Sequence, residues 1–323
     1  MSDLKQLRDD AERLTGRLAE IESALREAGL GWRPALFAGL SLAAFAPQHA
    51  SAGSLASETM AIKDALKADR QARKIADGQA RPALAAALVA AGKPVSALTE
   101  AKAALPRRFS AWSGLRPQGA ITLAFADKPA PADLEARIES IIEASPRRWY
   151  FARAIRPLQA LTLALRGCDA ASALARFERA RDGLEAGGMN GSNAVSCAPK
   201  IAVFDTDPDT LAANLQSLRQ GRKAEKRLRM LPAERRAMLS AAAPDPDSLH
   251  AALEPPLQAA WSRKRKISSG PASALAASLA LAALGRGTPG AAASDLMAII
   301  AAEQAATIAA VSAASTAAVS SGS

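Results

Sequence analysis

Two stretches set paired arginines beside aromatic rings. Residues 106–117 read Pro-Arg-Arg-Phe-Ser-Ala-Trp-Ser-Gly-Leu-Arg-Pro, and residues 146–157 read Pro-Arg-Arg-Trp-Tyr-Phe-Ala-Arg-Ala-Ile-Arg-Pro, 40 residues further on. A guanidinium is a planar fork that binds phosphate oxygens and stacks on rings. Arg107, Arg108, Arg147, Arg148 and Trp149 are therefore candidates for holding a partner. The second reading is architectural: the aromatics wedge between helices while the arginines meet carbonyls at helix ends.

A second basic stretch, 219–236, holds Arg219, Arg222, Lys223, Lys226, Arg227, Arg229, Arg235 and Arg236 against only Glu225 and Glu234. A shorter run follows at 263–266, Arg-Lys-Arg-Lys. Such runs suit phosphate backbones or anionic surfaces, and Arg222, Lys223, Lys226 and Arg227 are the candidate contacts. They equally suit a solvated face between helices. Aromatics are nearly absent among them, and no helix-turn-helix or RNA-binding signature accompanies them.

The remaining chemistry-bearing residues form no motif. Cys168 and Cys197 have neither CxxC spacing nor a nearby His, so zinc ligation is unsupported. Asp205, Asp207 and Asp209 alternate, but an EF-hand loop starting at Asp205 would put Thr210 where a Gly is needed and Gln216 where a bidentate Glu is needed. These aspartates read as turn formers and helix caps. His49 and His250 are far apart with no partner in sequence. The loop Gly187-Gly188-Met189-Asn190-Gly191 lacks the Lys-Ser/Thr ending of a phosphate loop. No catalytic, metal or cofactor set is recognised.

The elements carrying these residues are helical. Alanine supplies most of the 49% hydrophobic content and aromatics are 4%, a composition that favours helix over strand. The net charge of +10 permits anionic partners, and it also fits an arginine-rich composition in general. No basic start is followed by an apolar core of the signal-peptide kind, and 304–320 is too weakly apolar for a span. With the cysteines read as buried thiols, a cytoplasmic location is expected.

Leu4, Leu7, Ala11, Leu14, Leu18, Ile21 and Leu25 alternate spacings of three and four, which predicts a heptad-patterned helix over 3–28. Its seam faces either the rest of the chain or a second copy. Downstream, prolines 34, 82, 117, 157, 199, 232 and 271 each lead an apolar helix, followed by a turn and an amphipathic helix. Proline suits a first helical turn because it donates no N–H there. Neither helix of such a unit can bury its face alone, so stacked pairs are expected. A long alanine-rich helix is expected from about 294 to 317.

The Arg-Pro-led alanine helices, the Leu-Glu-Ala-Gly-Gly ending at 184–188 and the Ala/Ser/Thr-rich last helix are similar to a bacterial family of uncharacterised proteins, domain of unknown function four thousand and three. The resemblance covers most of the chain. It implies no activity, cofactor or site residue, since the family has none assigned.

The resulting expectation is an all-α protein: helix-hairpin repeats stacked as an α-solenoid-like array. Residues 1–30 form the N-terminal amphipathic helix, 31–290 the repeat domain, and 291–323 the last helix and a Ser-rich tail. Its function is expected to be binding or scaffolding of a protein or peptide on a concave face. The alternative is nucleic-acid or anionic-surface binding through 219–236 and 263–266.

Overall fold

The computed structural model describes residues 2–75, 78, 80–106, 116–126, 129–149, 152–263 and 269–285. Residues 107–115, which contain most of the first arginine–aromatic stretch, and the expected helix at 294–317 lie outside them.

The architecture is all-helical. Fourteen α-helices occur among the described residues: α1 Ser2–Glu27, α2 Trp32–Phe45, α3 Ala52–Ala68, α4 Arg81–Ala90, α5 Ser96–Ala104, α6 Arg116–Ala124, α7 Leu134–Ala144, α8 Pro157–Leu165, α9 Ala170–Ala186, α10 Gly191–Ile201, α11 Pro208–Ala224, α12 Ala233–Ala242, α13 Pro246–Arg263 and α14 Ser269–Ala283. They pack as consecutive pairs, α1 on α2 through α13 on α14.

Two layers result. The even-numbered helices are the more apolar members, except α12, which carries Glu234, Arg235 and Arg236 near its start. Every residue of Ala35–Ala43 in α2 and of Pro82–Leu88 in α4 is buried, and the run 272–281 in α14 is buried throughout. A helix that is apolar on all sides belongs to an interior. The small alanine side chains let these helices approach closely. The odd-numbered helices carry the charges and bury one stripe, as Phe177, Ala180 and Leu184 do on α9.

Neighbours touch within each layer: α2 on α4, α6 on α8, α10 on α12 and α12 on α14 inside, with α7 on α9 and α9 on α11 outside. The array also returns on itself, because α1 packs on α13 and α14, and α14 packs on α2. Leu14, Leu18, Ile21 and Leu25 of the heptad seam are buried in this closure, so the seam serves the chain's own interior.

Six of the seven leading prolines begin or immediately precede an even-numbered helix. Pro199 does not: α10 starts at Gly191, with Pro199 inside it. The stretch expected as a loop at 188–193 is helical from Gly191 because the Asn190 side chain accepts the Asn193 N–H at 2.9 Å and caps the helix. Pro199 then falls in the last turn, where it removes a single helical bond. Likewise α13 runs continuously through Pro255 and Pro256. Burial of Ala252, Leu253, Pro256, Leu257 and Ala260 on one side offsets the two missing N–H donors. α3 starts at Ala52, capped by Ser51 Oγ accepting the Ser54 N–H at 3.1 Å.

Glycines set the closest approach. A Cβ on Gly183 of α9 would lie 2.8 Å from the Pro208 carbonyl oxygen and 2.9 Å from Leu211 Cδ2. One on Gly187 would lie 2.9 Å from Leu215 Cδ2. Gly183, together with Gly187 of the Leu-Glu-Ala-Gly-Gly ending, thus lets α11 lie against α9.

Candidate functional site

Helix ends explain where many of the cations go. The last carbonyls of a helix lack partners within it and carry the negative end of its dipole. Arg17 of α1 donates to the Ala46 and Pro47 carbonyls after α2, at 2.9 and 2.5 Å. Lys93, following α4, donates to the Ala124 carbonyl of α6 at 2.6 Å. Arg219 of α11 donates to the Gly187 carbonyl after α9 at 2.9 Å. Asn214, fully buried on α11, donates to both the Ser240 and Ala243 carbonyls at the end of α12, each at 2.9 Å. Side chains of one element thus complete the ends of another, and part of the positive charge is structural.

The second arginine–aromatic stretch lies between α7 and α8. It forms a short antiparallel ladder, β1 Arg147–Trp149 with β2 Ala152–Arg153. This differs from a continuous lead into a helix. The Ala154 N–H bonds the Pro146 carbonyl at 2.9 Å, and Arg153 donates to the Ser145 carbonyl at the end of α7 at 2.9 Å. Arg147 is exposed there. Arg148 and Trp149 follow it on the same strand. Arg107 and Arg108 lie outside the described residues.

The basic stretch 219–236 spans the end of α11, a 3-10 turn at Lys226–Met230 and the start of α12. Much of it is engaged locally. Arg227 pairs with Glu225, Arg229 Nε donates to the Arg222 carbonyl at 3.3 Å, and Arg236 donates to the Leu231 carbonyl at 2.7 Å. Arg235 is buried. Lys226 is exposed, and Lys223 lies in the last turn of α11. Arg222 is half-buried, with its Nε shielded from solvent and lacking a hydrogen-bond partner.

Three of these arginines converge. Arg219 and Arg222 are three residues apart on α11 and so share a face, and α12 packs on α11. Burial, then Arg222, then Arg219 lower the Arg236 pKa below the ordinary guanidinium value, while the buried Cys197 on α10 acts the other way. The candidate set Arg222, Lys223, Lys226 and Arg227 is therefore divided. Arg222 joins the cluster, Arg227 is paired away, and Arg219 and Arg236 take its place.

One pairing has no signal in the sequence. Ser217 Oγ on α11 and His250 Nε2 on α13 are hydrogen-bonded at 2.8 Å. They stand 33 positions apart, and only the contact between the two helices joins them. A hydroxyl on an imidazole is one half of an activated nucleophile. The acid that would orient the ring is not among its described partners.

The aspartate turns act as caps. Asp207 accepts the Thr210 N–H at 2.9 Å, Asp245 the Ser248 N–H at 2.8 Å, and Asp169 the Ser172 N–H at 2.8 Å. These bonds hold all three carboxyls below the usual range, with the Ser172 hydroxyl contributing most at Asp169. Asp205, at φ 54°, ties Arg176 and Arg179 of α9 at 3.1 and 2.5 Å beside a small cleft. Both cysteines are buried and outside any disulfide. Among the described residues no group of three His, Cys, Asp or Glu could hold a metal ion, and no helix is long and apolar enough to cross a membrane.

Comparison with protein-family models, with curated proteins and with solved structures gives no match.

Proposed function

We propose that this chain is a binding or scaffold protein for a protein or peptide partner. The observation that carries the reading is the way side chains of one helix finish the carbonyl end of another, within a pair for Arg17 and Asn214 and between pairs for Lys93 and Arg219. Polar groups spent in that way hold the pairs as a rigid mount, and stacked helix pairs serve broad surface recognition elsewhere. Because the ends of the array meet, the surface on offer is the rim formed by the turns between helices, and Arg147 is exposed in one of them, between α7 and α8. Two buried thiols outside any disulfide suit a cytoplasmic setting.

The test begins with the intact chain as bait. A captured protein, once purified, should co-sediment with it at fixed stoichiometry. Replacing Arg147 and Arg148 together by Glu should weaken that complex at least tenfold. Failure of every purified candidate to co-sediment sinks the reading.

Nucleic-acid or anionic-surface binding is the second reading, favoured by the convergence of Arg219, Arg222 and Arg236. Engagement of Arg227 by Glu225 and of Arg263 by Glu22 counts against a broad basic surface. Retention on heparin to high salt, lost on replacing Arg222, Lys223, Lys226 and Arg227 by Ala, supports it. Early elution unchanged by those substitutions refutes it.

A further inference from the structure

We propose that Arg219 and Arg222 of α11 and Arg236 of α12 form a discrete site for a phosphate-class oxyanion, either inorganic phosphate or a phosphate monoester. The inference is independent of the partner-binding reading above.

The cluster gathers like charges from two adjacent helices. The groups acting on the Arg236 charge are two arginines and a thiol. The two carboxylates of the same stretch are committed elsewhere, Glu225 to Arg227 and Glu234 to Lys200, the latter pair at 2.5 Å. Arg222 and Arg236 are half-buried and Arg219 is exposed beside them, and guanidiniums brought together in this way repel one another. An anion between them turns that repulsion into attraction.

The forks are also held in place. Arg219 is tied by one nitrogen to the Gly187 carbonyl, and Arg236 by one nitrogen to the Leu231 carbonyl. Each bond uses one nitrogen of its fork. Gly188, at φ 80°, makes room for this: a Cβ there would fall 1.6 Å from Arg219 Nη1. Arg222 and Arg236 each present an Nε that is shielded from solvent and unpartnered. A buried donor without an acceptor costs about 1–3 kcal/mol, and the oxygens of a tetrahedral oxyanion are the acceptors that fit several converging forks. An isolated carboxylate offers fewer oxygens, so phosphate is the better match. Fixed donors also reduce the ordering cost of binding.

Isothermal titration calorimetry of the intact protein with potassium phosphate, against chloride at matched ionic strength, tests this. One saturable site is expected, with affinity at least tenfold lower in Arg222→Gln and partly restored in Arg222→Lys. Gly188→Ala, which displaces Arg219, should weaken binding without removing Arg222 or Arg236. Circular dichroism melts identify any variant that is unfolded, and Arg222→Lys then carries the comparison. A parallel titration with O-phosphoserine distinguishes the sources: tighter binding assigns a monoester, and weaker binding assigns the free ion. The proposal is overturned if neither probe saturates, or if the folded Arg222 variants bind as the parent does. Binding that only fades with salt, equally in all variants, overturns it too, because that is the signature of a diffuse basic surface.

Discussion

Glu22 on α1 and Arg263 on α13 meet in a 2.8 Å ion pair near opposite ends of the described chain, and the carboxylate is the more deeply buried partner. With Arg8 and Glu254, it crosses the seam where the array closes. Replacing Arg263 by Gln leaves the Glu22 carboxylate without its cation inside a helix interface. The expected loss is about 2 kcal/mol, below the range for a fully buried pair because Arg263 is partly exposed. The double variant Glu22→Gln/Arg263→Gln should recover part of that loss. Urea unfolding of the four proteins measures the coupling, and strictly additive losses would show that the pair does not hold the closure.

Asn214 is fully buried and serves two carbonyls at once. Asn214→Leu strands both, at an expected cost of about 2–3 kcal/mol. Asn214→Asp should be worse, because it brings an acceptor against two acceptors and has no N–H to give. A thermal-melt ranking of Asn, then Leu, then Asp is the expected outcome. Aspartate tolerated as well as leucine would contradict the assigned bonds.

Two glycines should respond in opposite directions. Gly183→Ala drives a methyl into the Pro208 carbonyl and Leu211, with an expected loss of about 1–3 kcal/mol as α9 and α11 are forced apart. Gly16, inside α1, has nothing within 4 Å of its would-be Cβ, so Gly16→Ala should gain about 0.5–1 kcal/mol from helix propensity alone. Equal effects at both sites, read by denaturant midpoint, would refute the packing account.

Acid should loosen helix starts first. Asp245 accepts both the N–H and the hydroxyl of Ser248, at 2.8 Å each, which lowers its folded pKa. A carboxyl lowered in this way contributes its stability above the usual value of about 3.9 and loses it as pH falls through the lower folded value. Asp245→Ala should therefore cost about 1 kcal/mol at neutral pH. The gap between variant and parent should close below about pH 4, once the parent's own carboxyl is protonated. Asp169 and Asp207 should follow the same direction. A gap that stays constant from pH 7 to pH 3 would assign the loss to the side chain's packing instead.

Much of the layering was legible in the sequence because it depends on local composition. Proline-led alanine helices alternating with amphipathic ones, such as Arg81–Ala90 against Ala170–Ala186, became the inner and outer layers. The exceptions also have local causes. Asn190 starts α10 earlier than Pro199 suggested, and the burial around Pro256 carries α13 through two prolines. The closure was not legible, since heptad spacing in α1 is compatible with a self-partner or with α13. The candidate site was legible only in part. The charge run pointed to Arg222, but the convergence of Arg219 and Arg236 on it depends on the crossing of α11 and α12. The Ser217–His250 pair depends on α11 meeting α13, and no sequence spacing encodes that.

The meeting of α1 with α13 and of α2 with α14 bears on how this chain can change in evolution. An open stack of helix pairs can grow or shrink by duplicating or dropping a unit, because each unit needs only its neighbours. Here the first and last pairs are each other's neighbours. One unit more or fewer would shift the angle at which they meet and pull Arg263 away from Glu22. Adding or removing a pair would therefore disturb this closure, whereas lengthening a turn between helices would not.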